Sequence, residues 1–176
     1  METGGRRQCL LLLTFLLLAI MPLSVTYGGG FRGEQSEPED ALAIVVNRAN
    51  PIGDLSSAEL RKIFLGTRSH WSNGHRIAVA MLDYGRPERK AVLRQIYRMD
   101  ESGYRNHFLK EVYRGDVFSP PKTLASPVVM RKFVFNAPGA IGYLRSSDVD
   151  QSVKVLRIDG HLPDDKDYPL QIDEPM

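Results

Sequence analysis

The chain has 176 residues, 43% of them hydrophobic and 25% charged, with 23 Lys and Arg against 21 Asp and Glu for a formal net charge of +2. Such a composition rules out a disordered, collagen-like or disulfide-stapled chain. It also argues against a dedicated nucleic-acid binder, whose footprint is a strong excess of basic residues. Any anion site has to be assembled locally.

Residues 1–28 open with Arg6-Arg7, continue through an apolar run from Cys9 to Leu23, and end in small and turn-forming residues up to Gly28. That is the layout of a secretory signal peptide. The apolar run is shorter than the roughly 20 residues a membrane span needs. A retained N-terminal anchor is the alternative to cleavage, and Cys9, at the front of the run, is misplaced for lipidation. Cleavage would remove Glu2, Arg6 and Arg7, lowering the net charge from +2 to +1, and would take away the single Cys. An exported chain without Cys depends on its core alone. The remaining stretch of about 148 residues is long enough, since a domain of that size buries roughly two-thirds of its unfolded surface.

Residues 29–40 are rich in Gly and acids and predict a flexible leader. From Ala41 the run Leu42-Ala43-Ile44-Val45-Val46 is apolar without alternation, which predicts a strand buried on both faces. After the turn at Asn50-Pro51, Ser56-Ser57-Ala58-Glu59 has the spacing of a capping box, and a helix follows with Leu60, Ile63 and Phe64 on one face and Gly66 at its end. A polar loop with His70, Trp71, Asn73-Gly74 and His75 leads to a second buried strand at residues 77–82. Pro87 predicts a helix start, with Val92, Leu93, Ile96 and Tyr97 facing inward as far as about Arg98. Asp100 is placed to cap a further helix that carries Tyr104, Phe108, Leu109, Val112 and Tyr113 at helical spacing and stops at Gly115. Ser126-Pro127 predicts the last helix, with Val129, Met130, Phe133 and Val134, closed by Pro138-Gly139. Two more strands are expected, at residues 140–144 and in the alternating run 153–158. The domain is thus read as residues 41–160, followed by a loose tail over 161–176. Strands alternating with helices predict an α/β domain with helices on both faces of the sheet.

Two ordered motifs carry a family resemblance. The string Val45-Val46-Asn47 … Leu55-Ser56-Ser57-Ala58-Glu59-Leu60-Arg61-Lys62-Ile63-Phe64-Leu65-Gly66 … Trp71 resembles the "LS-x-x-EL-x-x-IF-x-G…W" segment of the phosphate-type substrate-binding proteins of ABC transporters. Pro138-Gly139-Ala140-Ile141-Gly142-Tyr143 is similar to the "PGAIGY" strand entry of the same family. The resemblance spans about residues 42–145 and implies a single periplasmic-binding-protein-like lobe with a mixed sheet. It also implies a small oxyanion such as phosphate as ligand and an ABC permease as partner. Where that family places a Ser-Gly-Thr loop before a helix, this chain reads Asp83-Tyr84-Gly85-Arg86-Pro87-Glu88. Pro87 lacks an N–H to donate, Asp83 and Glu88 add negative charge, and Arg86 supplies a guanidinium fork. Two-lobed relatives close on their ligand at a hinge, whereas the length here suits one lobe.

The ligand-binding residues expected on this basis are Tyr84 as a hydrogen-bonding wall, Gly85 for close backbone approach and Arg86 as charge partner. Ser56, Trp71 and Gly142 would frame the pocket by analogy of position. Arg86, Lys90, Arg94 and Arg98, with Arg89 beside them, form a basic stripe that reads either as an anion-attracting or partner-binding surface or as a solvated helix face. His70 and His75, five apart with no carboxylate or Cys to complete a set, do not make a metal site. No nucleophile, acid/base pair or G-x-S-x-G elbow stands out. The expected function is therefore non-enzymatic and without cofactor: a periplasmic or secreted solute-binding-like protein. The alternative is an envelope interaction module that kept the fold and lost the ligand. Nucleic acid is not an expected partner, and the membrane enters only through the export signal.

Overall fold

The computed structural model describes residues 41–115 and 120–172. The signal peptide and leader expected over residues 1–40 lie outside the described residues. The described chain forms β1 (Leu42–Val46), β2 (Asp54–Leu55), α1 (Ser57–Phe64), β3 (Ala78–Leu82), α2 (Pro87–Val92), α3 (Glu101–Arg114), β4 (Lys122–Leu124), α4 (Pro127–Asn136), β5 (Ala140–Arg145), β6 (Lys154–Val155) and β7 (Arg157–Ile158).

The main sheet has the order β4-β3-β5-β1-β6. Strand β3 runs parallel to β4 and β5, and β1 runs antiparallel to β5 and β6. The sheet is mixed, and all five residues of β1 are buried, as an unbroken apolar run requires when both faces are covered. Neighbouring residues of β5 show which helices cover which face. A Cβ on Gly142 would lie 2.4 Å from Met130 Sδ on α4, while the ring of the next residue, Tyr143, lies 6.5 Å from that of Phe64 on α1. Successive side chains of a strand point to opposite faces, so α4 covers one face and α1 the other.

Local signals act as the sequence predicts at several ends. Ser56 Oγ accepts from the Glu59 N–H at 3.2 Å and the Ser56 N–H donates to Glu59 Oε2 at 3.2 Å, a complete capping box. Asp100 Oδ1 accepts from the Gly103 N–H at 2.7 Å, and Ser126 Oγ from the Val129 N–H at 3.3 Å. The helix from Pro87 does not stay α-helical to its end. Residues Leu93–Tyr97 form a π turn that closes on Arg98 at φ 58°. The wider turn admits one more residue and lets Leu93, Ile96 and Tyr97 all reach the core. Arg61 of α1 donates from Nη1 to the carbonyls of Ile96 and Tyr97 at 2.9 and 2.8 Å, placing a cation at the negative end of that helix.

Three expectations need correction. Only Tyr104 and Phe108 of the apolar set on α3 are buried; Leu109, Val112 and Tyr113 are exposed, Tyr113 at 92%. Leu109, next to buried Phe108, already points away from the core, and Val112 and Tyr113 lie on its face one turn later. The alternating run 153–158 is two strands, with Leu156 between them donating its N–H to Ile44 O at 2.9 Å, so that β6 joins β1 while β7 pairs with β2. The tail is not loose as far as Ile172. Tyr168, Leu170 and Ile172 are buried, Leu42 N–H donates to Leu170 O at 3.0 Å, and Tyr168 Oη donates to Leu42 O at 2.9 Å. These three alternate at strand period, a signal obscured by the prolines and acids around them.

Candidate functional site

Strand β3 ends at Leu82 and the chain turns through Asp83–Arg86 into α2. The turn needs Gly85, whose φ is 82°, in the left-handed region that only glycine enters without cost. A Cβ there would meet nothing within 4 Å, so the turn faces open space. Asp83 Oδ1 accepts from the Tyr84 N–H at 2.8 Å. Arg86 reaches sideways from the turn, donating from Nη2 to Ala125 O at 3.1 Å. It thereby ties the loop after β3 to the one after its parallel neighbour β4. Pro87 stands at the start of α2, and Arg86 provides no side-chain cap there.

Beside the turn lies a buried charge. Arg89 is 1% exposed. Its Nε and Nη2 donate to Glu101 Oε2 and Oε1 at 2.9 and 2.7 Å, and its Nη1 donates to Leu82 O at 2.8 Å. The guanidinium is held between the rings of Tyr84 and Tyr104, 4.4 and 5.1 Å from their centroids. Burial alone would lower its pKa, but the hydrogen bond and charge of Glu101 outweigh that and raise it. The charge of Arg89 is thus spent inside the protein. Glu88, also buried, faces Arg145 at 3.4 Å, and its Oε2 has no hydrogen-bond partner among the described residues.

Beside the turn opens a cavity of about 890 Å³ lined by Tyr84, Gly85, Lys90, Leu93, Arg94 and Arg98, with Met99, Asp100, Glu101 and the edge of Arg89 completing it. A second cavity, of about 570 Å³, sits at the other end of β3, against Ile77–Val79, with Arg68, Arg76 and Lys122 among its lining residues.

The six expected site residues therefore separate. Tyr84 and Gly85 line the larger cavity. Arg86 belongs to the same turn but is directed at Ala125 and does not line that cavity. Neither Ser56, Trp71 nor Gly142 lines either cavity. Ser56 is occupied by the capping box. Trp71 is 2% exposed and donates from Nε1 to Gly139 O at 3.0 Å, a packing anchor. Gly142 is buried mid-strand, where it leaves room for Met130. The analogy of position fails for these three because their side chains, or the lack of one, are already used by the fold. The sequence placed Arg89 beside the basic stripe rather than in the interior and gave Glu101 no role, although a signal for Arg89's burial was present. Arg89 stands three, four and seven residues before Val92, Leu93 and Ile96, so helical spacing puts it on the buried face.

The chain matches the family described as PBP superfamily domain over residues 39–169. It is 33% identical over 135 residues to the phosphate-binding protein PstS of Bacillus subtilis (strain 168), covering 73% of this chain and 41% of that protein. Among solved structures it resembles an ABC-type phosphate transport receptor from Vibrio cholerae, with a TM-score of 0.58 and 26% identity, covering 70% of this chain and 48% of the other. PstS from Borrelia burgdorferi superposes with a TM-score of 0.59 at 14% identity, covering 76% and 55%, and shows the shared fold. The chain spans about half the length of the relatives it matches, or less. With an α/β lobe, a mixed sheet and a family match over most of its length, this chain belongs to the PBP superfamily.

Proposed function

We propose that this protein is an exported solute-binding-like lobe that takes phosphate or a related oxyanion at the turn Asp83–Arg86, in the service of an ABC transporter. The observation that carries the reading is the 33% identity to a protein named for phosphate binding. The site geometry adds support. In open α/β sheets ligands bind beyond the carboxyl ends of the strands, and the Asp83–Arg86 turn lies at the carboxyl end of β3, flanked by that of its parallel neighbour β4. Arg86 uses one N–H on Ala125, and a guanidinium has five. Binding rather than catalysis is the role, and the apolar N-terminal run behind Arg6-Arg7 supports export.

A thermal-melt series with phosphate, sulfate and molybdate tests this reading. Phosphate is expected to raise the melting temperature, and Arg86→Ala to remove the shift. No response to any of the three oxyanions would refute it. An interaction role has one observation in its favour, the exposed row Leu109, Val112 and Tyr113 on α3, which shares one helical face. Under that reading oxyanions leave the melting temperature unchanged, and Leu109→Glu with Tyr113→Glu abolishes a pairwise interaction with an envelope protein.

A further inference from the structure

We propose that the cavity beside Tyr84 binds an organic phosphate, a phosphate monoester on a planar or apolar body, in preference to the bare oxyanion. The inference rests on the reading of an oxyanion ligand above, seats its phosphate on the Lys90 and Arg98 side of the turn in the cavity that Arg86 does not line, and names the class of ligand.

Charge and shape point the same way. The cavity is lined by Arg89, Lys90, Arg94 and Arg98 against Asp100 and Glu101, an excess of two positive charges. Glu101 is bound by Arg89, and Asp100 accepts from the Gly103 N–H. Lys90 and Arg98 are both exposed and present a cationic rim to an incoming anion. The floor between them is apolar, made by Leu93 and Met99.

Tyr84 supplies the second element. One face of its ring lies over the Arg89 guanidinium at 4.4 Å, yet the residue is 61% exposed. A ring fixed on one side and open on the other is a stacking platform for a planar group. The volume of about 890 Å³ falls in the range of sites for drug-sized molecules, far larger than a phosphate ion needs. Phosphate at the rim and a ring or short apolar body on Leu93, Met99 and Tyr84 use all of these features together.

Calorimetric titration of the purified protein with inorganic phosphate, phenyl phosphate and phenol tests the proposal. Phenyl phosphate is expected to bind about tenfold or more tightly than inorganic phosphate, because the ring adds apolar burial, while phenol alone binds weakly. Lys90→Gln with Arg98→Asn is expected to abolish phenyl phosphate binding; Asn tolerates the left-handed backbone of Arg98, and both positions are exposed, so the fold is kept. Met99→Ser is expected to erase the preference and leave inorganic phosphate binding unchanged. Equal affinity for the two phosphates would overturn the inference and leave the oxyanion reading standing. Phenyl phosphate binding with no inorganic phosphate binding would uphold the inference and remove the bare-ion reading. Binding of neither would overturn both.

Discussion

Arg89 and Glu101 face each other through two parallel N–H···O bonds of 2.9 and 2.7 Å, with the guanidinium 1% exposed and the carboxylate reaching solvent. The pair joins the start of α3 to the helix after β3, and the third bond, from Arg89 Nη1 to Leu82 O, fixes the strand end from which the Asp83–Arg86 turn departs. Removing Glu101 strands a buried charge. Glu101→Ala is expected to cost about 3 kcal/mol, since breaking one side of a buried pair is far worse than replacing both. The double variant Arg89→Met with Glu101→Leu is expected to lose less than the two single variants combined. Urea titrations of the four proteins measure this, and strict additivity would show that the pair is not a unit.

Two glycines of the Pro138–Tyr143 motif are packing residues with different tolerances. A Cβ on Gly142 would overlap Met130 Sδ at 2.4 Å, whereas one on Gly139 would lie 2.0 Å from the backbone oxygen of Arg76. A thioether can swing aside, but a carbonyl already placed by the chain cannot. Gly142→Ala is expected to lose about 1–3 kcal/mol, the range for overpacking a core, and Gly139→Ala to lose more. Chemical denaturation ranks them, and a smaller loss for Gly139→Ala would contradict the assignment.

Trp71 is the one Trp of the chain, buried, lining neither cavity, and bonded to Gly139 O. Its fluorescence is expected to be blue-shifted in the folded protein and to stay constant when phosphate or phenyl phosphate is added. Trp71→Phe is expected to lose about 1 kcal/mol for the missing hydrogen bond, with ligand affinity unchanged. A ligand-dependent emission shift would return Trp71 to the pocket.

Buried phenols govern the alkaline limit. Burial pushes the Tyr104 hydroxyl up to about 12, with Arg89 drawing it down, and burial raises Tyr143 and Tyr168 as well. An unfolded Tyr ionises near pH 10. Their folded values are higher, so the stabilisation is complete below about pH 10 and is lost as pH climbs toward the folded values. The urea midpoint is expected to hold steady to about pH 10 and to fall between there and about pH 12, with Tyr168→Phe showing a shallower fall. A flat profile to pH 12 would place these hydroxyls in solvent.

Much of the architecture was legible in the residues because it depends on local chemistry. The unbroken apolar run of β1, the capping box at Ser56 and Glu59, the Asp100 and Ser126 caps and the Gly115 stop each act over a few positions. The family motifs named the lobe for the same reason. The site was only half legible: Tyr84 and Gly85 line the cavity, but Ser56, Trp71 and Gly142 do not.

What tertiary structure alone decided are relationships between distant segments. No local rule links Arg89 to Glu101 across a π turn, brings Tyr168 back to Leu42, or sends β6 and β7 to different sheets. Amino-acid type and spacing set which residues turn, cap and seek the core. Which cation is consumed by an internal carboxylate and which remains at a rim depends on the partner that packing delivers. Burial makes an unpaired charge costly, so the fold pairs Arg89 first and leaves Lys90 and Arg98 to face the cavity.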